Sequence, residues 1–92
     1  MTYLTHPGKI LKGELQARAI TGTELARRIK VPANRIGDIL RGRRGITGDT
    51  ALRLGIYLGT GPEVWMNLQS QYDLTKAEAE HGETIAREVK AA

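Results

Sequence analysis

Asn34, Arg35, Asp38 and Arg41 fall within eight residues of one another and carry the side-chain types that read nucleic-acid bases. An asparagine pairs bidentately with adenine, an arginine with guanine, and a carboxylate accepts from the cytosine amino group. Asp38 has a second role open to it, which is to orient Arg35 or Arg41. At about 100° per residue, Asn34, Gly37, Asp38 and Arg41 share one helical face, with Arg35 on the flank. Ile36, Ile39 and Leu40 share the opposite face and predict burial. Gly37 lets such a helix lie close to a groove wall, at some cost in helix propensity.

A second set of residues suits a phosphate backbone. Thr23 opens a helix whose amide groups form a positive end. Arg27, Arg28, Arg43, Arg44 and Thr47 stand on either side of the base-reading group, where such contacts set register and give salt-dependent affinity. The charge distribution agrees with this. Residues 27 to 53 hold eight basic side chains against Asp38 and Asp49, a net +6 within a chain of net +4. The remainder is therefore mildly acidic, at −2. A basic centre between acidic flanks is the footprint of a polyanion-binding face; an arginine-rich solvated surface is the plainer alternative.

Other chemistry has little support. The 92 residues suit one domain. No cysteine is present, which excludes disulfides and thiolate metal sites and fits a reducing, cytoplasmic setting. No apolar run approaches the roughly 20 residues of a membrane span. The opening Met1 to His6 lacks the layout of a signal peptide. His6 and His81 are far apart with no carboxylate at ligand spacing, so no metal is expected. Without a nucleophile–base pair or a cofactor motif, neither an enzyme nor a cofactor is predicted.

The elements that must position these groups are short helices punctuated by Gly and Pro. Pro7 to Ala19 repeats Ile10, Leu11, Leu15 and Ala19 at helical spacing. Thr21 to Glu24 reads as a capping box, with Thr21 capping and Glu24 reaching back. The helix it opens buries Leu25, Ala26 and Ile29. Val31 plugs the gap before a helix from Pro32 or Ala33 to Arg41, which Gly42 stops. Thr47 caps a fourth helix with Ala51, Leu52, Leu54 and Leu58 inward. A fifth follows Gly61-Pro62 and bears Val64, Trp65, Leu68 and Tyr72. Beyond Leu74 the composition turns to Ala, Glu and Lys, with Gly82 a weak break.

Two helices joined by a short turn, the second with a polar outer face, describe a helix-turn-helix. The fold class expected is all-α, with residues 1–74 as a five-helix, lambda-repressor-like domain and residues 75–92 as a helical or flexible extension. Ala26 is small where the two helices of the motif cross. Trp65, Leu68 and Tyr72 follow helical spacing and suggest core packing or a dimer seam rather than base stacking.

With these residues in view, the chain resembles the HigA/VapI-like antitoxins, a branch of the Xre/Cro-type helix-turn-helix class. The resemblance runs from about Thr5 to Leu74. It rests on His6-Pro7-Gly8 near the start, Thr23-Glu24-Leu25-Ala26 and Asn34 to Leu40 in the motif, and Gly42 to Thr47 after it. Asp49 to Leu54, Gly61-Pro62-Glu63-Val64-Trp65 and Tyr72-Asp73-Leu74 complete the ordered set. The chain departs from the family at Pro32, where Ser or Thr is common, and at Ala33, which removes a polar contact.

The resemblance implies a homodimer on a palindromic DNA operator that represses its own operon. It also implies a second partner, a RelE-like mRNA-cleaving toxin that the protein neutralises. A stand-alone Xre-type regulator needs the same reading head and is the alternative. A protein-interaction module that has lost DNA binding is a third reading, and the Arg43-Arg44 loop argues against it.

Overall fold

The computed structural model describes residues 4–92; Met1 to Tyr3 of the opening segment lie outside them. Five helices follow in order: α1 (Pro7–Arg18), α2 (Gly22–Ile29), α3 (Ala33–Leu40), α4 (Gly48–Leu58) and α5 (Glu63–Glu88). There is no strand among the described residues.

Local chemistry explains most boundaries. The Thr21 hydroxyl accepts from the Glu24 amide at 3.1 Å and starts α2. Thr47 accepts from the Thr50 amide and starts α4. Ala19, Lys30 and Gly59 end α1, α2 and α4 in the left-handed conformation. Only half of the expected capping box forms, because the Glu24 carboxylate turns to Arg27 and Arg28 instead. His6 supplies a cap that a side-chain inventory overlooks: its Nδ1 accepts from the Gly8 amide at 2.9 Å.

One core joins all five helices. Leu11 and Leu15 of α1, Leu25, Ala26 and Ile29 of α2, and Ile36 and Ile39 of α3 meet Ala51, Leu54 and Leu58 of α4. Val31 and Ile46 close the loops over it, and Trp65 fills it from α5. The Trp65 indole N–H is satisfied by the Thr60 hydroxyl at 2.9 Å. Two close approaches fix the packing. A Cβ at Gly8 would overlap the Ile39 carbonyl, and one at Gly55 would overlap the Gly61–Pro62 backbone.

Two expectations fail here, and one is decided. Ile10 is 42% exposed, so α1 buries a narrower stripe than its periodicity suggests. Leu52 is 57% exposed and does not face the core, since Ala51, Leu54, Gly55 and Leu58 already define the inward face of α4. Of the two roles open to Trp65, core packing is the one found: it is only 2% exposed, inside the protomer's own core. The tail also gains definition. α5 runs through Gly82 without a break to Glu88 and projects beyond the core, which accounts for a long axis of 47 Å against 23 and 22 Å.

Candidate nucleic-acid interface

Helix α3 turns Ile36 and Ile39 fully inward and leaves the opposite side polar. Asn34 and Arg41 are exposed there, and Asp38 is half-buried beside them. The α2–α3 pair, the turn between them and the crossing at buried Ala26 constitute a helix-turn-helix. Thr23 from the start of α2 joins Asn34, Gly37, Asp38, Arg41 and Arg43 around one open cleft of about 600 Å³. The structure therefore brings together three of the four candidate base readers and two of the candidate backbone contacts.

Within this cleft the Arg41 guanidinium lies 3.6 Å from the Asp38 carboxylate. A Cβ at Gly37 would stand 2.8 Å from an Arg41 terminal nitrogen. Gly37 thus makes room for Arg41 to fold back along its own helix. Asp38 pairs with Arg41, and Arg35 with Asp49 instead.

Arg35 belongs to the other flank. It lines a smaller hollow of about 320 Å³ with Arg44, Thr47 and Asp49. Its guanidinium donates to the Asp49 carboxylate at 3.0 Å. That same oxygen accepts from Arg53 at 2.8 Å, and Arg53 also donates to the Ile29 carbonyl. Asp49, which counts in the sequence only as an opposing charge, proves to be the joint between α3 and α4. Its carboxyl is held below the usual range, first by the hydrogen bond from Arg53 and then by Arg35.

Arg27 and Arg28 line neither cleft. Both donate to Glu24, and their hydrogen bonds, Arg27's foremost, hold its carboxyl at about 2. Arg28 also donates to the Tyr57 hydroxyl at 3.1 Å and lies over its ring.

The loop carrying Arg43 and Arg44 is held from behind by two residues to which the sequence pattern assigns no such role. Gln69 is only 8% exposed; its Oε1 accepts from the Ile46 amide at 2.7 Å, and its Nε2 donates to Asp73 at 2.9 Å. The available signal is its position, one turn after Trp65 on the same face of α5. His6 packs edge-on against Tyr72, with ring centroids 4.8 Å apart, and also lies against Gly42. Burial is the main influence lowering its pKa, against Asp73 and a hydrogen bond to the Arg44 backbone. Leu68 packs against the core and Tyr72 against His6, and both remain partly exposed. Among the described residues, no cluster of His, Cys, Asp or Glu could hold a metal, and no helix is long and apolar enough to cross a membrane.

Fold and site together define a helix-turn-helix protein, and the helix-turn-helix family model matches residues 11–65. Virulence-associated protein I of Dichelobacter nodosus is 46% identical over 74 residues, which cover 79% of this chain and 68% of that one. The structure of an addiction module antidote protein of the HigA family from Coxiella burnetii superposes with a TM-score of 0.94. It is 42% identical, over 99% of this chain and all of that one. Pseudomonas aeruginosa antitoxin HigA, solved with the higBA promoter, gives a TM-score of 0.92 at 45% identity, over 96% and 97% of the two chains. The chain belongs to the HigA/VapI-like antitoxin family of helix-turn-helix proteins.

Proposed function

We propose that this chain is a DNA-binding antitoxin that represses its own operon by reading a palindromic operator through α3. The observation that carries the reading is the exposed polar face of Asn34, Asp38 and Arg41, set beside Thr23 and Arg43 in one cleft on the basic centre of the chain. A family relative solved with promoter DNA supports it. In this reading Asn34 and Arg41 contact base edges and Asp38 holds Arg41 in register. Thr23, Arg43, Arg44 and Thr47 meet phosphates on the two flanks. Arg35, tied to Asp49, braces the helix and reaches the groove wall from its side. Arg27 and Arg28 reach phosphates only when they leave Glu24.

The second half of the proposal is neutralisation of a RelE-like mRNA-cleaving toxin. It rests on family membership, and co-purification with the product of an adjacent short reading frame tests it. Absence of such a neighbour would favour the stand-alone regulator.

The DNA half is tested by titrating the chain's own upstream promoter region across salt. Wild type is expected to bind with a steep salt dependence and clear sequence preference. Arg41→Ala should lose about 1–3 kcal/mol and relax preference at one base position, whereas Arg35→Ala should weaken all sequences alike. Wild-type affinity and preference in Arg41→Ala would remove α3 as the reading element.

A further inference from the structure

The basic centre is more restrained than its net charge suggests. Five of the eight basic side chains between residues 27 and 53 pair with only three carboxylates: Arg27 and Arg28 with Glu24, Arg35 and Arg53 with Asp49, and Arg41 with Asp38. Asp49 differs from the other two in its place. Glu24 lines neither cleft of the basic face, and Asp38 stands beside Arg41 in the larger one. Asp49 lies in the smaller hollow with Arg35, Arg44 and Thr47. It is also the more exposed member of its pair, with 57% of its side chain open to solvent against 30% for Arg35. A phosphate that approaches Arg35 must contend with that carboxylate.

We propose that Asp49 is a specificity-determining residue: by holding Arg35, it limits binding to DNA of arbitrary sequence more than binding to the promoter. The inference rests on the DNA-binding reading above. Binding without sequence preference draws essentially all its affinity from phosphates. Such a complex has no fixed register, so it gains from any guanidinium free to swing to the nearest phosphate. Asp49 denies Arg35 that freedom. One carboxylate oxygen accepts from Arg35 at 3.0 Å and from Arg53 at 2.8 Å. Arg53 is anchored in turn on the Ile29 carbonyl at 2.9 Å, at the end of α2. Arg35 is thus held in one position relative to both helices of the motif. At the promoter, base contacts by Asn34 and Arg41 select a single docking. An arginine already held in place loses little further side-chain freedom there, so restraint costs the promoter complex less.

Titrations of the full chain across salt test this, with its own upstream promoter region and with a random-sequence duplex of equal length. Asp49→Asn removes the charge but keeps the size of the side chain and one acceptor oxygen. Circular dichroism should show the helical fold unchanged, since the side chain is mostly exposed. The variant is expected to bind random DNA more tightly, with a logarithmic salt dependence steeper by about 0.9, the mark of one added phosphate contact. Promoter affinity should change less, so the promoter-to-random ratio falls roughly 3- to 5-fold, the scale of one exposed ion pair. Asp49→Glu, which keeps the charge, should retain the wild-type slope and ratio. Glu83→Gln, the same loss of charge on the distal part of α5, should leave both unchanged.

A wild-type slope and ratio in Asp49→Asn would overturn the proposal. So would a glutamate variant that behaves like the asparagine one, or an equal effect from Glu83→Gln. Failure of the DNA reading looks different: wild type would bind promoter and random DNA equally. A steeper random-DNA slope in Asp49→Asn would then keep the hold on Arg35 and remove only base reading.

Discussion

The Gln69 side-chain carbonyl accepts a hydrogen bond from the Ile46 amide at 2.7 Å, so a residue of α5 holds the loop that carries Arg43 and Arg44. Ile46 is itself only 3% exposed, so its amide depends on this partner. Gly45 permits the approach: a Cβ there would stand 2.9 Å from the Gln69 amide nitrogen. The long fifth helix thus supports the loop that carries Arg43 and Arg44, although it lies behind it.

Gln69→Ala is expected to cost about 1–3 kcal/mol, the penalty for an unpaired buried amide. For a domain of this size that lowers the melting temperature by roughly 4–8 °C per kcal/mol. Promoter affinity should fall as the basic loop loosens, while base preference stays as in wild type, because Asn34 and Arg41 remain in place. A thermal melt and a promoter titration of the one variant check both statements.

How much of this is legible in the sequence follows from which interactions are local. Thr21, Thr47 and Gly42 announce their roles because a cap or a stop acts within three or four residues. The outward face of α3 is readable for the same reason, since Ile36 and Ile39 define its opposite. Leu52 misleads because an apolar residue at a plausible spacing looks inward until the other side chains have filled the core. Gln69, Asp49 and His6 escape notice as tertiary partners because each acts on a residue at least 14 positions away, or on a ring that only folding brings near. Trp65 stands between core and seam in the sequence, and only the depth of packing between α4 and α5 decides for the core.

Glu24 offers a test of restrained charge. Its carboxyl sits at about 2, below the ordinary value of 4.5, because Arg27 and Arg28 donate to it. A depressed carboxyl contributes stability that is present above 4.5 and is lost as pH falls through about 2. The side chain is 30% exposed, so that contribution is screened by salt. Glu24→Gln frees two guanidinium groups and adds one positive charge. The logarithmic salt dependence of promoter binding is expected to steepen by about one to two, near 0.9 per added phosphate contact. An unchanged slope would mean that neither arginine reaches DNA even when released.

The glycines of α1 make a paired test of packing. A Cβ at Gly13 would meet nothing within 4 Å, so Gly13→Ala should stabilise the chain by about 0.5–1 kcal/mol through helix propensity alone. Gly8 lies against the Ile39 carbonyl on another helix, and backbone cannot yield there as a side chain would. Gly8→Ala should therefore destabilise by about 1–3 kcal/mol or more. Denaturant unfolding of the two variants checks the contrast, and opposite signs are the expected result.

His6 ties the start of α1 to a titratable ring. Its Nδ1 must be unprotonated to accept from the Gly8 amide at 2.9 Å. The ring is also partly desolvated between Tyr72 and Gly42. Burial is the first cause of its lowered pKa; Asp73 and the Arg44 backbone oppose the shift, and Lys76 adds to it. The folded chain therefore binds the proton less readily than the unfolded chain, whose histidine titrates near 6.5. Stability from this group is full above about 6.5 and is lost as pH falls through the lower, folded value. Melting temperature and promoter affinity should both decline as the medium is taken from about pH 7.5 toward about pH 5, the ordinary histidine range being the guide. His6→Asn keeps a side-chain oxygen for the cap but carries no titrating proton. It is expected to remove the part of the decline that begins below about 6.5 while leaving the helical fold intact. A decline of equal size in His6→Asn would place the pH response on another group.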